Sequence, residues 1–491
     1  MLGMYVHTHW AYNHPYAART WTFEDWDGYL AGLAALGYDF ILLWPQLDCM
    51  PGEPNASDQA YLAKIGRVID LAHNAYGMRF MLTAAPNTIG NSRSGEFAFE
   101  RRPYFVCERK VDPGDPAAVA EFLAGRRRQF APLSRADGLF VIDSDPGGYI
   151  GSTNAQFVAL MKAQVDILRE TNPVAELVYW MWMGWENYNA FWKRATQQQP
   201  GDPDPQIDWD IRDFLATLPL TGAEVPEPWS VTSSAAVHNV AIDRLDLGDK
   251  RLFFPYAIIE GEPTFPLTNY APDALHPRIN EYASQPGAYP RGILASSQTH
   301  CMQLPGAYFF AHFAQGGTLA DADLEKFAAD VIPGSEAVVA LAWQLVASED
   351  VAAQHASAGR VRGEIGKPRT AAKCSGLLFG DADRFLVDLA DNLQIRAGLT
   401  ALKQVIDAGG DARRALRELL AHLLPYIKRV GFADSYYGPL RTGLNEQVMR
   451  LNDPGLNAII ADFHNWREPA VRNGVATRLF DALDAYARIQ P

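Results

Sequence analysis

An apolar run, Gly138-Leu139-Phe140-Val141-Ile142, ends in two carboxylates one residue apart, Asp143 and Asp145, before the chain breaks at Pro146-Gly147-Gly148. Alternate residues of a strand point to one face, so a strand carried through this segment sets both carboxylates side by side. Buried without partners, such neighbours are costly. At an open strand end they are useful, because one carboxyl can hold a proton while the other stays ionised. That division is what hydrolysis of a glycosidic bond demands: an acid for the leaving oxygen and a base or nucleophile for the anomeric carbon. Asp145 borders the flexible Gly147-Gly148 and takes the acid or acid/base role. Asp143 orients substrate or raises the pKa of Asp145 by like-charge repulsion.

Other apolar runs end in polar groups as well. His7-Thr8-His9-Trp10 follows the first, Trp44-Pro45-Gln46 the second, and Asn87 the third. Trp182-Met183-Gly184-Trp185-Glu186 follows the fifth, Glu260-Gly261-Glu262 the seventh and Gln298-Thr299-His300 the eighth. Glu260 is the first candidate for nucleophile or base, with Glu262 and Glu186 in reserve. Trp10, Trp44, Trp182, Trp185 and Tyr149 offer aromatic faces to the apolar C–H face of a sugar ring. His7, His9, Asn87, Gln298 and His300 offer hydrogen bonds to its hydroxyls. Core packing is the competing role for each tryptophan, and a surface loop charge the competing role for Glu186 and Glu262. A His-x-His after a first strand also suits a shared zinc ion. A metal-dependent, amidohydrolase-like hydrolase using His7 and His9 is therefore an alternative. It needs histidines after strands 5 and 6 and an aspartate after strand 8. Strand 5 has no histidine, His238 lies at a distance from strand 6, and strand 8 has His300, so no metal or other cofactor is expected. A third reading is a non-catalytic carbohydrate-binding barrel.

The elements that must position these groups alternate steadily. Strands are predicted over 4–9, 40–44, 79–84, 138–143, 177–183, 229–233, 252–260 and 292–296. Helices intervene over 22–36, 58–75, 117–130, 154–170 and 208–218, the first opening on the capping-box pattern Thr22-Phe23-Glu24-Asp25. Eight strand–helix units predict a (β/α)8 barrel, whose C-terminal rim carries the active site. Beyond Gly316-Gly317 apolar residues recur at helical spacing, as in RRALRELLAHLLPYI. The predicted division is a barrel over 1–318 and an α-helical domain over 319–491, with helices at 321–331, 335–347, 392–408, 411–428, 445–451 and 470–489.

Composition narrows the partners. A net charge of −14 argues against nucleic acid and anionic membranes, and no run of apolar residues is long enough for a membrane span. The four cysteines are widely spaced without a Cys-x-x-Cys, which supports neither a disulfide scaffold nor a zinc knuckle. With no basic and apolar leader ahead of the first strand, a cytoplasmic protein is expected. The oligomeric state, including a homo-oligomer, is left open.

The FVIDSDPGGY strand end, the QTHCMQLPGAYFF run and the helical C-terminal region resemble the superfamily of glycoside hydrolase barrels around families 20, 67, 84 and 115. The resemblance extends over most of the chain at superfamily level. It implies an exo-acting glycosidase with acidic residues at the end of strand 4, which Asp143 and Asp145 match by position. Ser144 separates the two acids, so the adjacent acidic pair of the hexosaminidases is absent.

Overall fold

The computed structural model describes residues 1–104, 106–199, 202–203, 205–206, 208–256, 259, 267–431, 444–463 and 469–488, with the backbone alone at 286, 461–463 and 469–477. Eight strands close a barrel: β1 (Leu2–Val6), β2 (Phe40–Leu43), β3 (Arg79–Ala84), β4 (Gly138–Ile142), β5 (Glu176–Trp180), β6 (Trp229–Ser233), β7 (Arg251–Phe253) and β8 (Gly292–Ser297). They neighbour one another in chain order, and β8 returns to β1. Parallel register is fixed by pairs such as Gly3 with Phe40, Ala84 with Val141, Ile142 with Trp180 and Ser233 with Phe253. The expected (β/α)8 barrel is the fold.

The barrel interior is filled by alternate residues. Tyr5, Phe40, Leu42, Trp44, Met81, Phe140, Ile142, Val178, Trp180, Leu252, Phe254 and Leu294 form one buried cluster, capped by the partly buried Trp182 and Tyr256. Gly3 is needed beside Phe40, because a Cβ there would come within 2.1 Å of the ring. Helices Ala56–Tyr76, Pro116–Phe130, Asn154–Arg169, Trp185–Gln197, Ile211–Glu224 and Ala236–Arg244 lie between barrel strands in the chain. Capping boxes start several helices: Thr22 accepts from the Asp25 amide at 3.1 Å while Asp25 accepts from the Thr22 amide at 2.8 Å, as the sequence pattern predicts.

Some bounds differ from expectation. β1 begins and ends earlier, because the Leu2 amide bonds Asp39 at 2.7 Å and the Ile293 amide bonds the Met1 carbonyl at 2.9 Å. His7, Thr8 and His9 thus lie beyond the strand. β7 stops at Phe253 rather than running to 260. An antiparallel ribbon between β3 and β4, pairing Thr88–Gly90 with Glu108–Lys110, was not anticipated. Helix Trp185–Gln197 was not expected either, nor were Val351–Arg362 and Pro454–Phe463.

By contacts the chain forms two compact units. The barrel unit comprises Met1–His9, Gly37–Tyr256 and Asn280–Ala295. The second comprises Trp10–Leu36, Ala257–Ile279 and Ser296–Pro491. In the second, the 26-residue helix Ala382–Asp407 packs on Val351–Arg362 and Ala412–Val430. Its buried Asp388 is held by Tyr16, Arg384 and Arg429.

Candidate active site

Parallel strands put their C-terminal ends at one rim, and β4 stops at Ile142, one residue before Asp143. Asp143 is fully buried and well supplied with donors. Its Oδ1 accepts from the Ser144 hydroxyl at 2.7 Å and the Met183 amide at 3.1 Å. Its Oδ2 accepts from the Trp182 amide at 3.0 Å and the Tyr179 hydroxyl at 3.3 Å. Burial pushes the carboxyl up to about 7, while the Trp182 amide and Ser144 hydroxyl pull it down. Asp143 thus ties the end of β4 to the end of β5.

Asp145 is placed differently. Its backbone is left-handed, with φ of 49°. The strand alternation has ended, so the two aspartates do not share a face: Asp143 is buried and Asp145 exposed. The expected like-charge coupling with Asp143 gives way to other causes. Desolvation raises the Asp145 carboxyl above the usual carboxylate range and Lys110 opposes that shift. Asp145 is thus exposed to water, yet the protein around it disfavours its ionised form.

The loop carrying Asp145 is pinned on several sides. At Gly148, with φ of 81°, a Cβ would approach Asn189 Oδ1 to 2.7 Å and the Tyr188 ring to 2.8 Å. Asn189 accepts from the Tyr149 amide at 2.9 Å and donates to Ser152 at 3.0 Å. Asn87, fully buried, donates to the carbonyls of Val111 at 2.8 Å and Gly148 at 3.2 Å. It holds the loop to the ribbon rather than lining a sugar pocket.

The ribbon brings two residues that strand-end reasoning missed. Glu108 and Lys110 are two apart on one edge and so share a face. Lys110 Nζ lies 5.3 Å from the Tyr188 ring centre and 5.4 Å from that of Trp192. Burial pushes Glu108 up to about 8, opposed by Lys110 and reinforced by Asp48 and Asp145. Burial lowers Lys110 in turn, with Glu108 and Asp145 opposing. The only sequence signal was an acid and a base two apart in Glu108-Arg109-Lys110.

The aromatic candidates separate by exposure. Tyr149 is exposed on the Asp145 loop, and Trp182 is half-buried with its ring 5.0 Å from Tyr256. Trp44 is buried in the barrel core, where its indole nitrogen donates to Asp48 at 2.6 Å. Trp185 is a correction: it is fully buried, stacked on Phe157 at 5.2 Å and bonded to Ser152 at 3.0 Å, so it packs the loop. Glu186 is exposed, and its Oε1 accepts the Asn154 amide at 2.8 Å at the start of helix Asn154–Arg169. Glu260 and Glu262 lie outside the described residues.

His7 and His9 are nearly buried and turn their Nδ1 atoms toward each other at 3.1 Å; the His9 ring also meets Trp44 edge-on at 4.4 Å. Among the described residues no group of three or more His, Cys, Asp or Glu side chains is arranged to hold a metal ion. His238 bonds the Trp182 carbonyl at 3.0 Å, and burial lowers it to about 4, so it is a neutral brace for the end of β5. Trp10, Gln298 and His300 belong to the second unit. There Trp10 donates to Gln298 at 2.7 Å. His300 is buried 2.8 Å from the Tyr29 hydroxyl, and burial lowers it to about 3.

No family model and no curated protein matches the chain. Among solved structures, an O-GlcNAc hydrolase mutant of Thermobaculum terrenum is similar at 11% identity, covering 98% of this chain and 93% of that one, with a TM-score of 0.38. The chitobiase of Flavobacterium johnsoniae is 11% identical over 96% of this chain and 72% of its own, with a TM-score of 0.38. The exo-beta-1,4-mannosidase Op5Man5 from Opitutaceae bacterium strain TAV5 is 16% identical over 64% of this chain and 59% of its own, with a TM-score of 0.33. Likenesses of this size say nothing of the chemistry.

Proposed function

We propose that the chain is a glycoside hydrolase acting on a carbohydrate, with Asp145 as the acid or acid/base carboxyl at the C-terminal rim of the barrel. The observation that carries this reading is the state of Asp145: accessible, yet raised by desolvation toward holding its proton. Tyr149 on the same loop and Trp182 at the neighbouring strand end are aromatic surfaces suited to a sugar face. The second carboxylate is Glu260, with Glu262 and Glu186 in reserve. Exo action, which the resemblance to glycoside hydrolase barrels implies, and a catalytic barrel over 1–318 followed by a helical domain over 319–491 are parts of the same proposal. So is a cytoplasmic setting, which the four buried free thiols suit. Among the described residues no helix is long and apolar enough to cross a membrane.

The test compares kcat/KM on a natural glycoside and on its dinitrophenyl analogue, after a screen of nitrophenyl glycosides with the unaltered protein. Asp145→Asn lowers the rate on the natural glycoside by roughly 10²-fold or more, and far less on the activated one, whose leaving group needs little protonation. Glu260→Gln impairs both. Hydrolysis of the natural glycoside by Asp145→Asn at the unaltered rate would reject Asp145 as the acid. Binding of sugars without cleavage of any would favour the carbohydrate-binding barrel. Activity lost to chelators with stoichiometric zinc would favour the His7 and His9 metal site.

A further inference from the structure

We propose that His7 and His9 work as one unit with fixed tautomers, His9 donating its Nδ1 proton to His7 Nδ1. His9 Nε2 is then an acceptor, and His7 Nε2 a donor, for a hydroxyl of the bound carbohydrate. His7 is the positioning residue of the unit, because it sets the tautomer of His9. The tautomers stand on geometry alone, whereas the carbohydrate as ligand rests on the glycosidase reading.

Both residues lie just past the C-terminal end of β1, at the rim where β4 leads into Asp143. Thr8 between them turns toward the next strand, where its hydroxyl donates to the Trp44 carbonyl. The Trp44 amide bonds the Val6 carbonyl at 3.4 Å and holds the same crossing. The residues on either side of Thr8 share the other face, and their imidazole centres come within 3.9 Å. The His7 ring meets Tyr5 edge-on at 5.6 Å, and the His9 ring meets Trp44 at 4.4 Å and Tyr104 at 4.6 Å. Trp44 is itself tied to Asp48 at 2.6 Å, so the rings that seat the pair are fixed.

The 3.1 Å between the two Nδ1 atoms settles where one proton lies. Two bare nitrogens would set lone pair against lone pair, and two N–H groups would set proton against proton, so one of the two is protonated. The His9 backbone amide decides which. It donates to His7 Nδ1 at 3.3 Å, and an amide donates only to a bare ring nitrogen. His7 Nδ1 therefore accepts both bonds and the shared proton belongs to His9 Nδ1. A neutral imidazole carries one proton, which leaves His9 Nε2 bare and puts the His7 proton on Nε2. A metal ion between the two nitrogens would need the same His7 lone pair that the amide takes. Among the described residues no third His, Cys, Asp or Glu is arranged to complete such a site. Carbohydrate suits the unit because each hydroxyl both gives and takes a hydrogen bond. A carboxylate would serve only the donor, and an ammonium only the acceptor.

Long-range 1H–15N NMR of the full chain, labelled with 15N at histidine, separates protonated from bare ring nitrogens. The unaltered protein should show a protonated Nδ1 and bare Nε2 on His9, and the reverse on His7. A coupling through the hydrogen bond should join the two Nδ1 nitrogens and so identify the pair among the 11 histidines. His7→Asn sets a carboxamide oxygen near the place of Nδ1 and should keep the His9 tautomer, whereas His7→Phe removes the acceptor and should release it. On a glycoside that the unaltered protein cleaves, His7→Phe should lower kcat/KM about tenfold, the scale of one hydrogen bond, and His7→Asn should recover most of that loss. A packing role predicts the opposite order, because phenylalanine fills the space of the ring better than asparagine does. A bare His9 Nδ1 overturns the proposal, as does zinc, added alone, that binds both Nδ1 nitrogens. Should His7→Phe not fold, the tautomers of the unaltered protein decide by themselves. Fixed tautomers with His7→Phe as active as the parent overturn the role in binding. Fixed tautomers in a protein that neither binds nor cleaves any glycoside remove the ligand and the glycosidase reading together and leave the locked pair.

Discussion

Asp48 and Asp145 both follow a barrel strand, β2 and β4, and both carry a carboxyl that desolvation pushes upward. Asp48 is fully enclosed: the Trp44 indole donates to it at 2.6 Å, the Ala85 amide at 3.1 Å and the Arg126 guanidinium at 2.7 Å. Arg126 is saturated in turn by Gln164 at 2.9 Å, Gln129 at 2.7 Å and the Thr88 carbonyl at 2.7 Å. Asp145 is reached by solvent, and the opposing charge that acts on it is an exposed lysine above aromatic rings. A carboxylate whose lone pairs are filled by donors from several elements stabilises the frame. One that is desolvated without such donors is available to a substrate. The same residue type serves both ends, and the difference lies in what its neighbours leave open.

The largest effect that sharpens this contrast is on the frame. Arg126→Met leaves Asp48 as an uncompensated buried charge and should cost about 3–5 kcal/mol of unfolding free energy, measured by urea denaturation. Arg126→Met with Asp48→Asn should recover part of the loss, since the lone charge is then gone. A single variant as stable as the parent would erase the distinction between the two carboxylates.

Asp143 lies between the two cases, enclosed by donors but without a cation. Its folded pKa of about 7 stands above the ordinary 3.8, so folding favours its protonated form. That contribution is full below pH 4 and is lost as pH rises through 7. Unfolding free energy should therefore fall with pH across this window, by at most about 1.4 kcal/mol per pH unit from this group. Asp143→Asn should flatten the slope, whatever it does to the absolute stability. Equal slopes in both proteins, from urea curves at several pH values in the window, would show that Asp143 does not hold a proton on folding.

Asp145→Asn should change stability by no more than about 0.5 kcal/mol, because asparagine also tolerates a left-handed backbone and no hydrogen-bonded clasp is broken. A loss of several kcal/mol in the same urea experiment would make Asp145 a frame residue like Asp48.

The frame was legible in the sequence where apolar runs are long or regular. β4, read from Gly138, and helix Asn154–Arg169, with its Thr153 cap, are such cases. The site was legible only in part. Asp143 and Asp145 were found by type and spacing, but the alternation that paired them assumed a strand extending past Ile142. A left-handed residue ended it. Glu108 and Lys110 escaped because their ribbon is three residues a side, Thr88-Ile89-Gly90 against Glu108-Arg109-Lys110, with no apolar alternation and a long connection between. Trp185 and Glu186 read as strand-end residues because nothing local distinguishes a rim loop from the first turn of a helix when Gly184 precedes it.

The smallest effect uses the residue next to Arg126. Arg127 is on the same helix, Pro116–Phe130, and it too meets a carboxylate, Glu170. Here the side chains are 56% and 54% exposed, so each partner keeps its water and the pair is screened by salt. The strengthened acidity of Glu170 comes from its bond to Arg127, yet where both side chains face water that bond replaces hydration of similar quality. Arg127→Gln should leave the urea midpoint unresolved from that of the parent, and any residual difference should vanish in high salt. Two adjacent arginines, each drawn to an acid, then differ by the whole range between a frame contact and a surface one. A clear salt-independent loss from Arg127→Gln would mean that contact with a carboxylate, rather than burial without water, sets the stability of this frame, and the contrast between Asp48 and Asp145 would lose its physical basis.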